Sequence, residues 1–155
     1  MPNFSQRSKD ELIGVNDNMV RLMNASIIDS PVDFTVTEGL RTAKTQGIYY
    51  TWGRSVLNPN TGPLKNRPLG AIVTKRDGIK LKSNHQAKKD GKGTAVDVAI
   101  FKRDKKGKGY LDFDDDAAYL KLSKHIKAKA KELNIPIVWG GDWKSLYDAP
   151  HFELK

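Results

Sequence analysis

The sequence predicts an α+β domain in which helices pack against a small antiparallel sheet. Two segments, about 8–30 and 115–133, space their apolar residues mostly three and four apart, the period of a helix with one buried face. Three short runs at 33–38, 94–101 and 137–139 are rich in β-branched or aromatic residues, as strands are. Glycine, proline and asparagine punctuate the gaps. A chain of 155 residues is long enough for one domain, 1–155, burying roughly two-thirds of the surface its unfolded form exposes.

In chain order, Leu12, Val15, Met19, Leu22, Met23 and Ile27 mark the apolar stripe of a first helix, which Pro31 ends. Asp33 to Glu38 alternates and reads as a strand, with Gly39 at its end and Arg41 just beyond. Residues 43–50 suit a short helix. Residues 53–68 are expected to form a long loop, either a lid or a mobile segment. Ala71 to Thr74 and Ile79 to Lys82, separated by a Gly-containing turn, suggest a hairpin. Thr94 to Phe101 reads as a buried strand, and Lys102 to Gly109 as a charged turn. Asp112 to Asp116 supplies the acidic start of the second long helix, complementing its dipole. A last strand, Ile137 to Trp139, runs into Gly140-Gly-Asp-Trp143.

Hydrophobic residues at 38% and charged residues at 29% fit a compact globular chain. With no cysteine there is neither a disulfide framework nor thiolate ligation, so any zinc must be held by His, Asp or Glu. The N-terminal stretch has charges where a signal peptide needs an apolar segment, and no run reaches membrane-spanning length. The expectation is therefore no signal peptide, no membrane insertion and synthesis into the cytoplasm. Net charge is +9. Residues 75–109 hold twelve Lys or Arg against four Asp, which is nearly all of the excess. Such a stretch suits an anionic wall polymer or an outer-membrane surface, or is simply a solvated face. Without interleaved aromatics it does not mark a specific nucleic-acid surface.

Chemistry concentrates in a few residues. Of three histidines, His85 follows the expected hairpin and His151 closes Asp148-Ala-Pro-His151, whereas His125 lies in the lysine-rich helix and reads as a surface or boundary residue. Asp97 is a carboxylate inside the apolar run Ala95 to Ile100. Buried there it needs a cation, a metal or several hydrogen-bond donors, and a lysine partner would serve as well as a metal.

The segments Ser83-Asn-His85, Gly93-Thr-Ala-Val-Asp97, Gly140-Gly-Asp-Trp143 and Asp148-Ala-Pro-His151-Phe-Glu153, preceded by Glu38-Gly-Leu-Arg41-Thr42, resemble the signature of the D-alanyl-D-alanine carboxypeptidase/VanY-like zinc metallopeptidases. Within that family the likeness is greatest to phage endolysins that cleave the L-alanyl-D-glutamate bond of peptidoglycan. The resemblance spans 33–155 in order and implies a Hedgehog/DD-peptidase-like fold. It implies His85, Asp97 and His151 as ligands of Zn2+ and Asp148 as general base. It also implies Arg41 across the site, stabilising an oxyanion or gripping a substrate carboxylate. Ser83 is a candidate to orient substrate or His85, and Asp142 and Trp143 to support His151 by hydrogen bonding and packing. Glu153 is expected to support the sheet. Eleven residues, Gln86 to Val96, separate His85 from Asp97, more than the family pattern leaves, so the family glycine could be Gly91 or Gly93.

Two imidazoles, one carboxylate and an open fourth position suit a catalytic zinc, since a closed site has no room for water. The resemblance implies a monomeric lysis enzyme without a separate wall-binding domain, acting on peptidoglycan and held in the host cytoplasm until a holin releases it. Two alternatives stand beside it: a D-Ala-D-Ala carboxypeptidase or dipeptidase, and a non-catalytic basic binding module with zinc as a structural staple.

Overall fold

The computed structural model describes residues 3–155. Four helices, α1 (Gln6–Glu11), α2 (Asp17–Ser26), α3 (Ala43–Thr51) and α4 (Asp116–Glu132), accompany five strands, β1 (Phe34–Glu38), β2 (Ala95–Arg103), β3 (Gly109–Asp112), β4 (Ile137–Trp139) and β5 (His151–Leu154). The strands form one antiparallel sheet in the order β1-β2-β5-β4, with β3 also paired to β2. Period-two alternation sends Phe34, Val36, Val96, Val98, Ile100 and Phe152 to one face, where they join the core with Met19, Leu22, Leu122 and Ile126 of α2 and α4. The other face carries Asp97, His151 and Glu153, and a register shift between Val36 and Glu38 turns Glu38 onto it as well.

The helices start where side chains can cap them. Asn16 accepts from the Asn18 amide at the start of α2, and Asp115 from the Ala118 amide at the start of α4. Asp116 in the first turn and Lys129 and Lys131 in the last complement the dipole of α4.

Three expectations need correction. The single helix over 8–30 is two helices, broken at Gly14, whose φ of 80° belongs to the left-handed region. At the break the Gly93 amide donates to the Gly14 carbonyl (2.9 Å) and the Asn16 amide to the Gly93 carbonyl (2.8 Å). The hairpin over 71–82 does not form. Its backbone is held instead by side chains: Asn58 on the Ala71 carbonyl (2.8 Å), Gln46 on Arg76 (2.7 Å), Gln86 on Gly78 (2.9 Å), and Asp77 on the Ile79 and Leu81 amides. The charged turn over 102–109 is shorter, because Ile100–Arg103 pairs with Gly109–Asp112 around a turn in which the Asp104 amide meets the Lys108 carbonyl. Residues 151–154, where the sequence predicts only that Glu153 supports the sheet, form the strand β5. Residues 53–68 lack a helix or extended strand, as expected.

Candidate metal centre

Strand register assembles most of the site. Asp97 on β2 lies opposite His151 on β5 and, across its other edge, opposite Glu38 on β1. Directly opposed residues share a face with their Cβ atoms about 5 Å apart. Glu153, two residues beyond His151, shares that face as well. His85 arrives from outside the sheet, on the turn that follows Ser83. There the Ser83 hydroxyl accepts from the His85 amide (3.2 Å), and Gln86 accepts from the Ser83 amide (2.9 Å).

These elements bring three ligand-capable atoms to one point. His85 Nε2 lies 3.2 Å from both His151 Nδ1 and Asp97 Oδ1, which are themselves 3.2 Å apart. Both imidazoles are buried. His85 Nδ1 sits 2.8 Å from the Gly39 carbonyl, an acceptor only, so this nitrogen carries the proton and Nε2 is left with its lone pair. His151 Nε2 sits 2.7 Å from Glu153 Oε2, which likewise frees Nδ1. Outer partners that fix the tautomer in this way are what ligating histidines have. A position about 2.0–2.1 Å from all three atoms, the usual zinc-ligand distance, exists just off their plane. Three lone-pair-bearing atoms crowded together repel unless a cation or protons lie between them, and His85, Asp97 and His151 can hold a metal ion.

The ionisable groups show the same demand for positive charge. Burial alone would raise the Asp97 carboxyl, but His85 and His151 outweigh it and hold the group well below its ordinary value. Burial would lower His151, yet hydrogen bonds to Asp97 and Glu153 push it up to about 10. A metal and a proton compete for the same lone pair, so the field that favours one favours the other. The Asp148 carboxyl is pushed up to about 6, first by burial and then by the charge of Asp97, with His151, His85 and Arg41 opposing.

Asp148 reaches the site through a pinned turn. Its amide donates to the Gly140 carbonyl (3.1 Å), the His151 amide donates back to the Asp148 carbonyl (3.2 Å), and Trp139 Nε1 donates to the Ala149 carbonyl (2.8 Å). A Cβ on Gly140 would fall 2.3 Å from the Asp148 carbonyl oxygen, so the approach requires glycine. Asp148 lines an open cleft of about 1010 Å³ together with His85, Asp97, His151, Arg41 and Trp143.

The remaining sequence-derived candidates divide. Ser83 supports the turn bearing His85, and the Trp143 ring stands 4.9 Å from the His151 ring at 43°. Asp142 is turned outward on the Gly140–Asp142 turn and pairs with Lys127 at 2.6 Å, away from His151. Glu153 makes the hydrogen bond to His151 that was expected of Asp142. Arg41 is engaged within the protein: it pairs with Glu38, donates to Gln46 Oε1 (2.7 Å), approaches Asp97 Oδ2 (3.4 Å) and lies over the Tyr49 ring. It braces the second oxygen of Asp97. His125 Nε2 donates to the Ser26 carbonyl at the end of α2 (2.9 Å) and takes no part in the centre. The glycine between His85 and Asp97 that meets the site is Gly93, where a Cβ would fall 2.6 Å from the His85 carbonyl oxygen; nothing lies within 4 Å at Gly91. Glu38 and Gln46 were missed. Glu38 had a signal in its place opposite Asp97 at a strand end; Gln46 had none.

Residues 77–154 match the model of the D-alanyl-D-alanine carboxypeptidase family. The chain belongs to this metallopeptidase family. Residues 2–64 match a second model, phage L-alanyl-D-glutamate peptidase. Among characterised family members, the peptidoglycan L-alanyl-D-glutamate endopeptidase CwlK of Bacillus subtilis (strain 168) is 28% identical over 132 residues, 85% of this chain and 66% of CwlK. The L-alanyl-D-glutamate peptidase of Escherichia phage T5 is 25% identical over 152 residues, 98% of this chain and 88% of that protein. The crystal structure of the Serratia marcescens L-Ala D-Glu endopeptidase ChiX superposes with a TM-score of 0.68 at 29% identity, over 98% of this chain and 89% of ChiX. The α+β architecture is thus that of the family.

Proposed function

We propose that the protein is a zinc-dependent peptidoglycan endopeptidase that cleaves the L-alanyl-D-glutamate bond of the stem peptide, and that it serves a phage as an endolysin. The observation that carries the reading is the triangle of His85 Nε2, Asp97 Oδ1 and His151 Nδ1, each 3.2 Å from the next, at the floor of an open cleft beside Asp148. The relatives named for the L-Ala-D-Glu bond support the substrate, and the phage peptidase model and the phage T5 relative support the setting.

His85, Asp97 and His151 would hold the zinc, with Gly39 and Glu153 fixing the imidazoles and Arg41 the carboxylate. Zinc, when bound, lowers the pKa of water to about 7 and polarises a carbonyl. Asp148 takes the proton of the attacking water and passes it to the leaving amine of the glutamyl residue. Burial beside Asp97 raises its carboxyl, which suits both duties, a base that is also a competent acid. Trp143 walls His151 from solvent, and Ser83 keeps the His85 turn in place. Release to the wall would depend on a holin.

Mass spectrometry of purified peptidoglycan digested with and without a chelator tests the reading. New free D-Glu amino ends and L-Ala carboxyl ends that vanish with chelator are expected. Loss of terminal D-Ala alone would instead indicate a carboxypeptidase, and unchanged muropeptides would sink both.

A further inference from the structure

The cleft holds its charges unevenly. Of its carboxylates, Glu38 is paired with Arg41, Asp97 with the two histidines and Arg41, and Glu153 with His151, while Asp148 stands beside the metal centre. Three cations at the same cleft, Lys75, Arg76 and Lys144, have no carboxylate within 4.0 Å among the described residues. Unpaired cations are common on this chain of net charge +9, and what sets these three apart is their place at the cleft.

Two of these cations are held in place. Lys75 Nζ lies 3.3 Å from the Ser145 hydroxyl and so joins two loops at the cleft mouth. Arg76 spends one guanidinium nitrogen on the Lys82 carbonyl (3.0 Å), which leaves N–H groups of the fork unused. The Arg76 carbonyl is bound by Gln46, which is fully buried and also accepts from Arg41, the brace of Asp97. Three contacts therefore connect the metal centre to the segment that carries Lys75 and Arg76.

The geometry points to Lys75, Arg76 and Lys144 as a carboxylate-reading rim that selects the free carboxylate of the residue on the amine side of the scissile bond. The inference rests on the peptidase reading above and deepens it. A glutamyl residue brings two carboxyl groups, and a linear chain continues through one of them, so the other stays free within a few bonds of the scissile nitrogen. Unpaired donors that line the cleft meet that anion through charge-assisted hydrogen bonds. An amidated residue of the same shape gives them a neutral carbonyl instead, and it is discriminated against by the difference.

Two synthetic stem peptides, one with D-glutamate and one with its side-acid amidated, are compared as substrates of the zinc-loaded protein. Wild type is expected to favour the acid by about tenfold in kcat/KM, chiefly through KM. In Lys75→Gln/Arg76→Gln the preference falls to within about twofold, and Lys144→Gln removes a smaller part. All three side chains are exposed, so folding is preserved, and circular dichroism and zinc content check it. Equal cleavage of both peptides by wild type, or a preference that survives the double substitution, would overturn the rim while leaving the peptidase intact. Cleavage of neither peptide by wild type would overturn the peptidase reading, and the rim with it.

Discussion

Two halves of the molecule meet at the metal centre, and they are built by different means. Asp97 and His151 stand on strands whose backbone pairing sets their distance, and a period of two fixes which face they share. His85 stands in a stretch, residues 53–92, with no helix and no extended strand, where one-off bonds from Asn58, Gln46, Gln86, Ser83 and Asp77 to the backbone do the positioning. The difference teaches that one ligand can come from an irregular segment if buried side chains take over the satisfying of backbone groups that a ladder otherwise performs. Its cost is local: each such bond is a single point of failure, whereas a ladder shares the load.

The sharpest way to break the comparison is to remove the ligand that the irregular half contributes. His85→Ala should lose zinc and bring turnover to background while the sheet half keeps its fold, checked by metal analysis and circular dichroism. Retained zinc with full turnover would mean that the sheet residues suffice. Next comes Glu153→Gln, on the sheet side. Losing the acceptor that fixes the His151 tautomer should weaken zinc by about 10–100-fold in a competition titration with a chelating dye. An unchanged affinity would remove Glu153 from the site.

Acidity probes the turn between the halves. Burial and the charge of Asp97 raise the Asp148 carboxyl, so its base form is lost on the acid side, and kcat/KM should fall about tenfold per pH unit there. The sign for stability is opposite to that of an ordinary paired carboxylate. A carboxyl raised in the folded state contributes stability that is full below its unfolded value of 3.8 and is lost as pH rises through about 6. Asp148→Asn should therefore gain on wild type in Tm, both stripped of metal, between pH 4 and pH 8. A constant difference across that range would contradict the assignment.

The smallest effect is expected at Gln46. Replacing it with Leu strands an Arg41 N–H and the Arg76 carbonyl, at about 1–3 kcal/mol by urea unfolding, and should make residues 53–92 more readily cut by protease. Unchanged unfolding and proteolysis would show that the irregular half does not lean on this side chain.

The same contrast explains what could be read from the sequence. The strand at 34–38 and the two amphipathic stretches announce themselves by period, and the strands at 95–103 and 137–139 by β-branched and aromatic residues. The break at Gly14 escaped, since the apolar spacing runs through it and its cause is a distant partner, Gly93. The hairpin expected over 71–82 failed because β-prone residues there find side-chain partners before they find a strand. At the site, His85, Asp97 and His151 stood out by rarity and motif order. Asp142 misled because adjacency along a chain does not say which way a turn faces, and here it faces Lys127. Glu153 was nearer to legible: two residues beyond a ligand on a strand is the same face.

The central claim is that three side chains hold a zinc whose chemistry needs Asp148. Zinc content and turnover measured together on wild type and Asp148→Asn test it most directly. The account predicts about one zinc per chain in both proteins, with peptidoglycan cleavage only in wild type. Cleavage at the wild-type rate by Asp148→Asn, or by wild type stripped of its metal, would contradict it.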